Sequence, residues 1–393
     1  MTTKRLWRCL ALSSGAAVGA LALTLAGSAA KPVQAADKSD VSAPSSTPSA
    51  AAPGWDRQAA ARYLDSREVW WQSWDRADKD RGTTCISCHT QASYGLARPA
   101  LREDLGEPGQ TASEKAMLAS IEKRVRQWSQ MQPFYSDVIS GAGKEVESRD
   151  AESVLNAVIL TSYDVRQGRL SETTRTAFDN AWALQSKTGP DAGSWVWQNF
   201  GYAPWESKES QYHWAALMAI AVGRAPDHYR DDPKIAASLT ALAGYLRGRY
   251  EAQPLLNKVV ALWASAAFPD LLTPDQHARL IAEMGRLQHP DGGWSLTDLG
   301  PWAPRVDKTT AETRSDGYAT ALSVLVLQAT GVEARTGPHV ARGVDWLLAN
   351  QDKATGAWTA WSLNKNRDPK TDVGKFMSDA ATAYAVLALE EKR

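Results

Sequence analysis

The stretch PHVARGVDWLLANQDKATGAWTAW, residues 338–361, decides how the chain folds. Pro338 is a good first residue for a helix, because its missing N–H would have no intrahelical partner there anyway. Up to Gln351 the segment alternates an apolar stripe with a charged face, the pattern of a helix lying on a core. A short loop then leads to Gly356-Ala357-Trp358. Downstream, Asp379 to Leu389 is apolar nearly all round. A helix without a polar face has to be enclosed by protein or by a cavity, so the unit is one solvent-facing helix followed by one buried helix.

Working outward, the same pairing recurs through the chain. Amphipathic segments run over Ala59 to Trp74, Ser113 to Gln130, Ser171 to Gln185, Pro233 to Tyr250, Pro274 to Gln288 and Pro338 to Gln351. Apolar segments run over Thr90 to Leu101, Asp150 to Leu160, Glu209 to Val222, Asn257 to Ala267, Asp316 to Thr330 and Asp379 to Leu389. No convincing strand pattern appears, so the class is all-α, and strict alternation predicts six α-α hairpins closing into an (α/α)6 toroid.

The loop after the amphipathic helix also repeats. Gln288 leads to Gly292-Gly293-Trp294, and Trp182 and Gln185 lead to Gly193-Ser194-Trp195. A chain with 17 Trp and only 5 Phe is using tryptophan for a recurring purpose. These units resemble the QW repeats of the squalene-hopene cyclase and prenyltransferase superfamily, whose glutamine and tryptophan pin helix ends of an α/α barrel. The resemblance implies that fold over most of residues 110–393. It does not bring the superfamily's chemistry. There is no D-x-D-D acid, Ser315-Asp316-Gly317-Tyr318 being the nearest stretch; Asp231-Asp232-Pro233 lacks the third acid of D-D-x-x-D; and the barrel has no Cys to serve as a zinc ligand.

A different motif opens the first apolar helix. Cys85-Ile86-Ser87-Cys88-His89 has the C-x-x-C-H spacing of c-type haem attachment, with two thiols for the vinyl groups and an adjacent imidazole for iron. The expected cofactor is one covalently bound haem c held by Cys85, Cys88 and His89. The alternatives are weaker: zinc would want further Cys or His ligands, and a redox dithiol would want a βαβ context. Cys9 lies in the N-terminal apolar run and would leave with it, so Cys85 and Cys88 are the thiols of the mature chain. Met377, in Phe376-Met377-Ser378-Asp379, is the expected second axial ligand from the rim of the last hairpin; Met131, His213 and His289 are further options.

Four acids open apolar helices and would face one mouth: Asp150, Glu209, Asp316 and Asp379. As a set they are candidates for acid/base catalysis, and each is equally a helix cap, a reading that Asn257 in the same slot supports. The cavity walls expected from the inner helices carry Tyr94, Tyr212, Trp214, Trp263, Tyr318 and Tyr384, which suits an apolar ligand and also sugar stacking.

The N-terminus reads as an export signal over residues 1–36, with Lys4, Arg5 and Arg8 before an apolar run and Val33-Gln34-Ala35 as the cleavage site. An uncleaved anchor is the alternative, and the only expected membrane contact. Residues 37–54 are a Ser/Ala/Pro-rich tether, and residues 55–393 form the toroid with the haem motif in its first hairpin. The alternative division makes 55–140 a small cytochrome c-like domain and 141–393 a squalene-cyclase-like one. The 44 basic and 44 acidic side chains balance, which gives no reason to expect nucleic acid. The expectation is therefore a periplasmic or otherwise exported c-type haem protein engaged in electron transfer with a redox partner protein or a small apolar ligand. Two alternatives stand beside it: a haem-dependent oxidase or peroxidase acting on an apolar or isoprenoid substrate, and a lipid- or glycan-binding module with an accessory haem. An enzyme on this scaffold would be a haem oxidoreductase, not a terpene cyclase.

Overall fold

The computed structural model describes residues 54–135, 141–333 and 336–390. The expected export signal, Cys9 and the expected tether up to residue 53 lie outside them. Twelve α-helices are present among the described residues. The outer set is α1 (Arg57–Ser73), α3 (Ala112–Arg126), α5 (Glu172–Leu184), α7 (Ala236–Arg249), α9 (Pro274–Arg286) and α11 (Pro338–Ala349). The inner set is α2 (Gln91–Asp104), α4 (Gly141–Gln167), α6 (Ser210–Arg224), α8 (Leu255–Ser265), α10 (Gly317–Ala329) and α12 (Phe376–Glu390).

Each kind of helix forms for a different reason. Outer helices are locally specified at their starts. Asp56, Thr111, Ser171 and Thr273 each accept a backbone N–H of the first turn, and Thr111 with Glu114 and Thr273 with Gln276 make reciprocal capping boxes. Inner helices are held by burial: every residue of α10 from Gly317 to Leu327 is buried. Consecutive inner helices pack against one another from α2 through α4, α6, α8 and α10 to α12, and α12 packs back on α2. The fold is thus an all-α toroid of six helical hairpins.

The repeated glutamine and tryptophan make the same bonds in all three units. Gln185 Nε2 donates to Gly193 O and Ser238 O, Gln288 Nε2 to Gly292 O and His339 O, and Gln351 Nε2 to Gly356 O and Asp56 O. In each case one acceptor is in the glutamine's own loop and the other belongs to the next outer helix or its cap. The indoles of Trp195, Trp294 and Trp358 donate to Ala181 O, Met284 O and Leu347 O at the end of the preceding outer helix, and all three rings are buried. The loose third copy in the sequence is therefore equivalent in bonding to the two close ones. Gly193, Gly292 and Gly356 have φ of 96°, 94° and 81°, and a Cβ on any of them would strike the backbone of the next outer helix.

Three expectations need correction. α4 begins at Gly141, so Asp150 lies within a long helix and does not open it. A two-stranded hairpin exists, Asp78–Lys79 paired antiparallel with Thr83–Thr84, too short for side-chain alternation to reveal. The aromatic residues of the inner helices do not line an open bore. Tyr94 and Tyr212 turn outward, donating to Asp65 and to Leu246 O, while Tyr318 meets Tyr384 and Trp205 edge-on at 5.1 Å each. Among the described residues no helix is long and apolar enough to cross a membrane.

Candidate functional site

The motif Cys85 to His89 follows the short hairpin and leads directly into α2. Cys85 N donates to Ala77 O, Trp71 Nε1 donates to Cys85 O, and Ser87 Oγ accepts the N–H groups of Thr90 and Gln91 at the helix start. These bonds hold the backbone of Cys85 and tie Ser87 to the start of α2, on either side of Cys88 and His89. Cys85 is half-buried and Cys88 buried. The His89 imidazole stacks on Phe376 at 3.7 Å between centroids and meets Trp71 edge-on at 5.4 Å, with Trp205 at 6.5 Å. Burial, with added repulsion from Arg67 and Arg367, pulls its pKa down to about 3 and keeps the ring neutral.

Behind the imidazole lies a buried polar cluster. His89 Nδ1 is 2.9 Å from Thr90 Oγ1, and Thr90 Oγ1 donates to Asp379 Oδ2 at 2.7 Å. The other Asp379 oxygen accepts from Tyr63 OH at 2.8 Å and Arg67 Nε at 2.7 Å. Burial raises the Asp379 carboxyl above the usual range, against the lowering effect of Arg67.

The donor set suits covalent haem: two cysteines at the required spacing, and a neutral imidazole with Nδ1 engaged and the rings of Trp71 and Phe376 against it. α12 presents the ring of Phe376 to His89, and Met377 is buried in the hydrophobic core. Among the described residues no three His, Cys, Asp or Glu side chains gather as a metal site. Met131 is buried with Trp128 and Phe134, and His213 is buried on α6.

The open space of the toroid is elsewhere. A cleft of about 650 Å³ lies over the N-terminal ends of α6 and α8, lined by Asn199, Lys208, Glu209, Gln253, Lys258, Glu283, Asp298 and Trp302 among others. Of the four acids singled out in the sequence, only Glu209 reaches it. Glu209 precedes α6 without making a side-chain cap bond. Asp316 is a true cap, accepting the N–H groups of Tyr318, Ala319 and Leu296, with its pKa lifted to about 7 by burial. Asp150 accepts Val196 N at 3.2 Å and is lifted by burial to about 6. The four acids therefore form no single catalytic group.

The sequence reading missed Lys208, Lys258, Glu283, Asp298 and Trp302, which sit in loops, on the outer helix α9 or, for Lys258, in the first turn of the inner helix α8, where no periodicity marks them. Asp298 is bonded to His289 Nε2 at 2.7 Å, and His289 Nδ1 lies 3.1 Å from Ser315 Oγ. That order of groups suggests a nucleophile, but Ser315 is buried and donates its hydroxyl to Asp291. The trio ties loops together.

No family model matches the chain, and no curated protein matches it. A solved glycosidase variant is similar in structure, with a TM-score of 0.49 and 14% sequence identity over 86% of this chain and 99% of that one. The expectation that the chain is chiefly an electron-transfer haem protein is corrected: among the described residues no three His, Cys, Asp or Glu side chains gather as a metal site, and a polar cleft lies away from the motif.

Proposed function

We propose that the protein is a glycan-binding module whose binding site is the cleft over α6 and α8, with a covalently attached haem at Cys85, Cys88 and His89 as an accessory group. The observation carrying this reading is the cleft's lining. One half-buried indole, Trp302, stands beside carboxylates, amines and amides from Glu209, Glu283, Asp298, Lys208, Lys258, Asn199 and Gln253. A sugar offers an apolar C–H face to an indole and hydroxyls to the polar groups. A lipid would strip water from several charges and return no hydrogen bonds, a cost of about 1–3 kcal/mol per polar group, so the glycan is the better match.

The three glutamine–tryptophan units support kinship of the barrel with the squalene-hopene cyclase and prenyltransferase superfamily, without its catalytic acids or zinc ligands. The basic and apolar residues 1–36, together with a covalent haem motif, support export to the periplasm or its equivalent.

Calorimetric titration of the haem-loaded protein with a panel of neutral and amino-bearing oligosaccharides tests the reading. At least one class should bind, and Trp302→Ala should weaken it tenfold or more. A panel without binding, or binding indifferent to Trp302→Ala, overturns it.

A further inference from the structure

The cluster behind His89 fixes more than the ring's position. Thr90 has one hydroxyl proton, and its shortest contact, 2.7 Å, is to Asp379 Oδ2. Asp379 Oδ1 already accepts from Tyr63 OH and from the Arg67 guanidinium, whose Nη1 and Nη2 continue to Asp372 Oδ1 and Asp372 O. Paired with that cation, Asp379 is a carboxylate and has only acceptor sites to offer. The Thr90 proton therefore points at Asp379. The remaining contact of the hydroxyl, to His89 Nδ1 at 2.9 Å, has to be filled by a proton from the imidazole.

We infer that Thr90 and Asp379 are positioning residues that lock His89 in the Nδ1–H tautomer and leave its Nε2 lone pair as the ligating nitrogen. The inference rests on the haem part of the proposed function only for its consequence. The tautomer is a property of the chain itself.

The arrangement joins the two ends of the toroid. His89 and Thr90 precede α2, whereas Asp379 is in the first turn of α12, 289 positions from Thr90. A carboxylate behind the hydroxyl strengthens the hydrogen bond accepted from the imidazole, which makes Nε2 a more electron-rich donor. Bound there, haem iron supplies redox and ligand-binding chemistry.

Nitrogen-15 NMR of the full chain labelled at histidine tests the inference in two forms, matured without haem and matured with it. In the haem-less chain His89 should show the pattern of a protonated Nδ1 and a bare Nε2. Thr90→Val, which keeps the shape and removes the hydroxyl, should shift His89 toward the other tautomer, and Thr90→Ser should restore the original pattern. In the haem-loaded chain Thr90→Val should raise the reduction potential while Thr90→Ser leaves it unchanged. A protonated Nε2 in the haem-less parent chain overturns the inference without need of any variant. So does a tautomer and potential unmoved by Thr90→Val. Failure to acquire haem would count against the accessory-group reading and leave the tautomer result to stand or fall alone.

Discussion

Gln351 and Asp56 are 295 positions apart, yet the Gln351 amide donates to Asp56 O at 2.9 Å and accepts Asp56 N at 2.7 Å. This pair is the seam of the ring. The same amide nitrogen also reaches Gly356 O at 2.9 Å, so one side chain ties the last repeat loop to the cap of the first helix. Gln351→Leu would leave Asp56 N and Gly356 O without this partner and Asp56 O with the Ala60 N–H alone, and an unmade buried bond costs about 1–3 kcal/mol. The expected loss is about 3 kcal/mol in chemical denaturation, with α1 becoming the first site of proteolysis. Gln185→Leu removes the equivalent tie inside the ring and should destabilise similarly without selectively exposing α1.

Gly356 and Gly106 both have positive φ, 81° and 65°. They differ in surroundings: a Cβ at Gly356 meets the backbone and side chain of Ala59, and one at Gly106 meets open space. Backbone strain alone costs about 1–2 kcal/mol. Gly106→Ala should therefore lose about that much, and Gly356→Ala clearly more, because α1 must also move. Equal losses in parallel urea titrations would show that the repeat glycine is needed only for its φ.

Several buried carboxyls are lifted by burial: Glu68 and Asp316 to about 7 and Asp150 to about 6. Raised acids hold a proton in the folded chain that the unfolded chain has released, so their contribution is complete below about pH 4 and is lost as pH rises through the folded values. His213 acts the other way. Burial lowers it to about 4, so its contribution is lost as pH falls below about 6.5. With three raised carboxyls against one lowered imidazole, these signs predict that stability falls as pH rises from about 4 to about 7 and changes little from there to pH 8. Glu68 is the group to alter, because its Oε1 accepts from Gln72 and Gln91 while Oε2 has no partner. Glu68→Gln should raise the melting temperature at pH 8, worth at most about 2–3 kcal/mol, and change little at pH 5. A flat difference between the two pH values would assign the effect to packing.

The fold was legible because its determinants are local or periodic. The alternation of charged and apolar helices gave the two layers, and Gln351, Gly356 and Trp358 marked the joint between hairpins. The cleft was not legible for the opposite reason. Lys258 and Glu209 come from helix starts, Glu283 from an outer helix, and Asp298 and Trp302 from a long loop, so only the packing of neighbouring hairpins brings them together. The four acids misled because shared position in the repeat is not shared environment: Asp316 caps, Asp379 pairs with Arg67, Asp150 lies mid-helix, and Glu209 faces the cleft. The residue of α12 that stacks on His89 is Phe376, next to Met377, a contact that the helix pattern alone does not specify.

One loop connects the two regions. Gly201, Ala203 and Ser207 line the cleft, while Trp205 between them stands 6.5 Å from His89 and edge-on to Tyr318. Asn364 Nδ2 holds the loop by donating to Ala203 O at 2.8 Å, and Trp205 O accepts Trp197 Nε1 at 2.9 Å. A ligand that shifts residues 201–207 must act on Trp205 and so on the surroundings of the imidazole, provided it binds the shifted loop more tightly. An oligosaccharide that binds the cleft should therefore shift the haem absorption band of the loaded protein, saturating with the same dissociation constant as the calorimetric binding. Trp205→Leu should abolish the shift while retaining binding within about threefold, a difference below 1 kcal/mol. Binding with no change in the band in the parent protein would show that the cleft and the haem motif are independent.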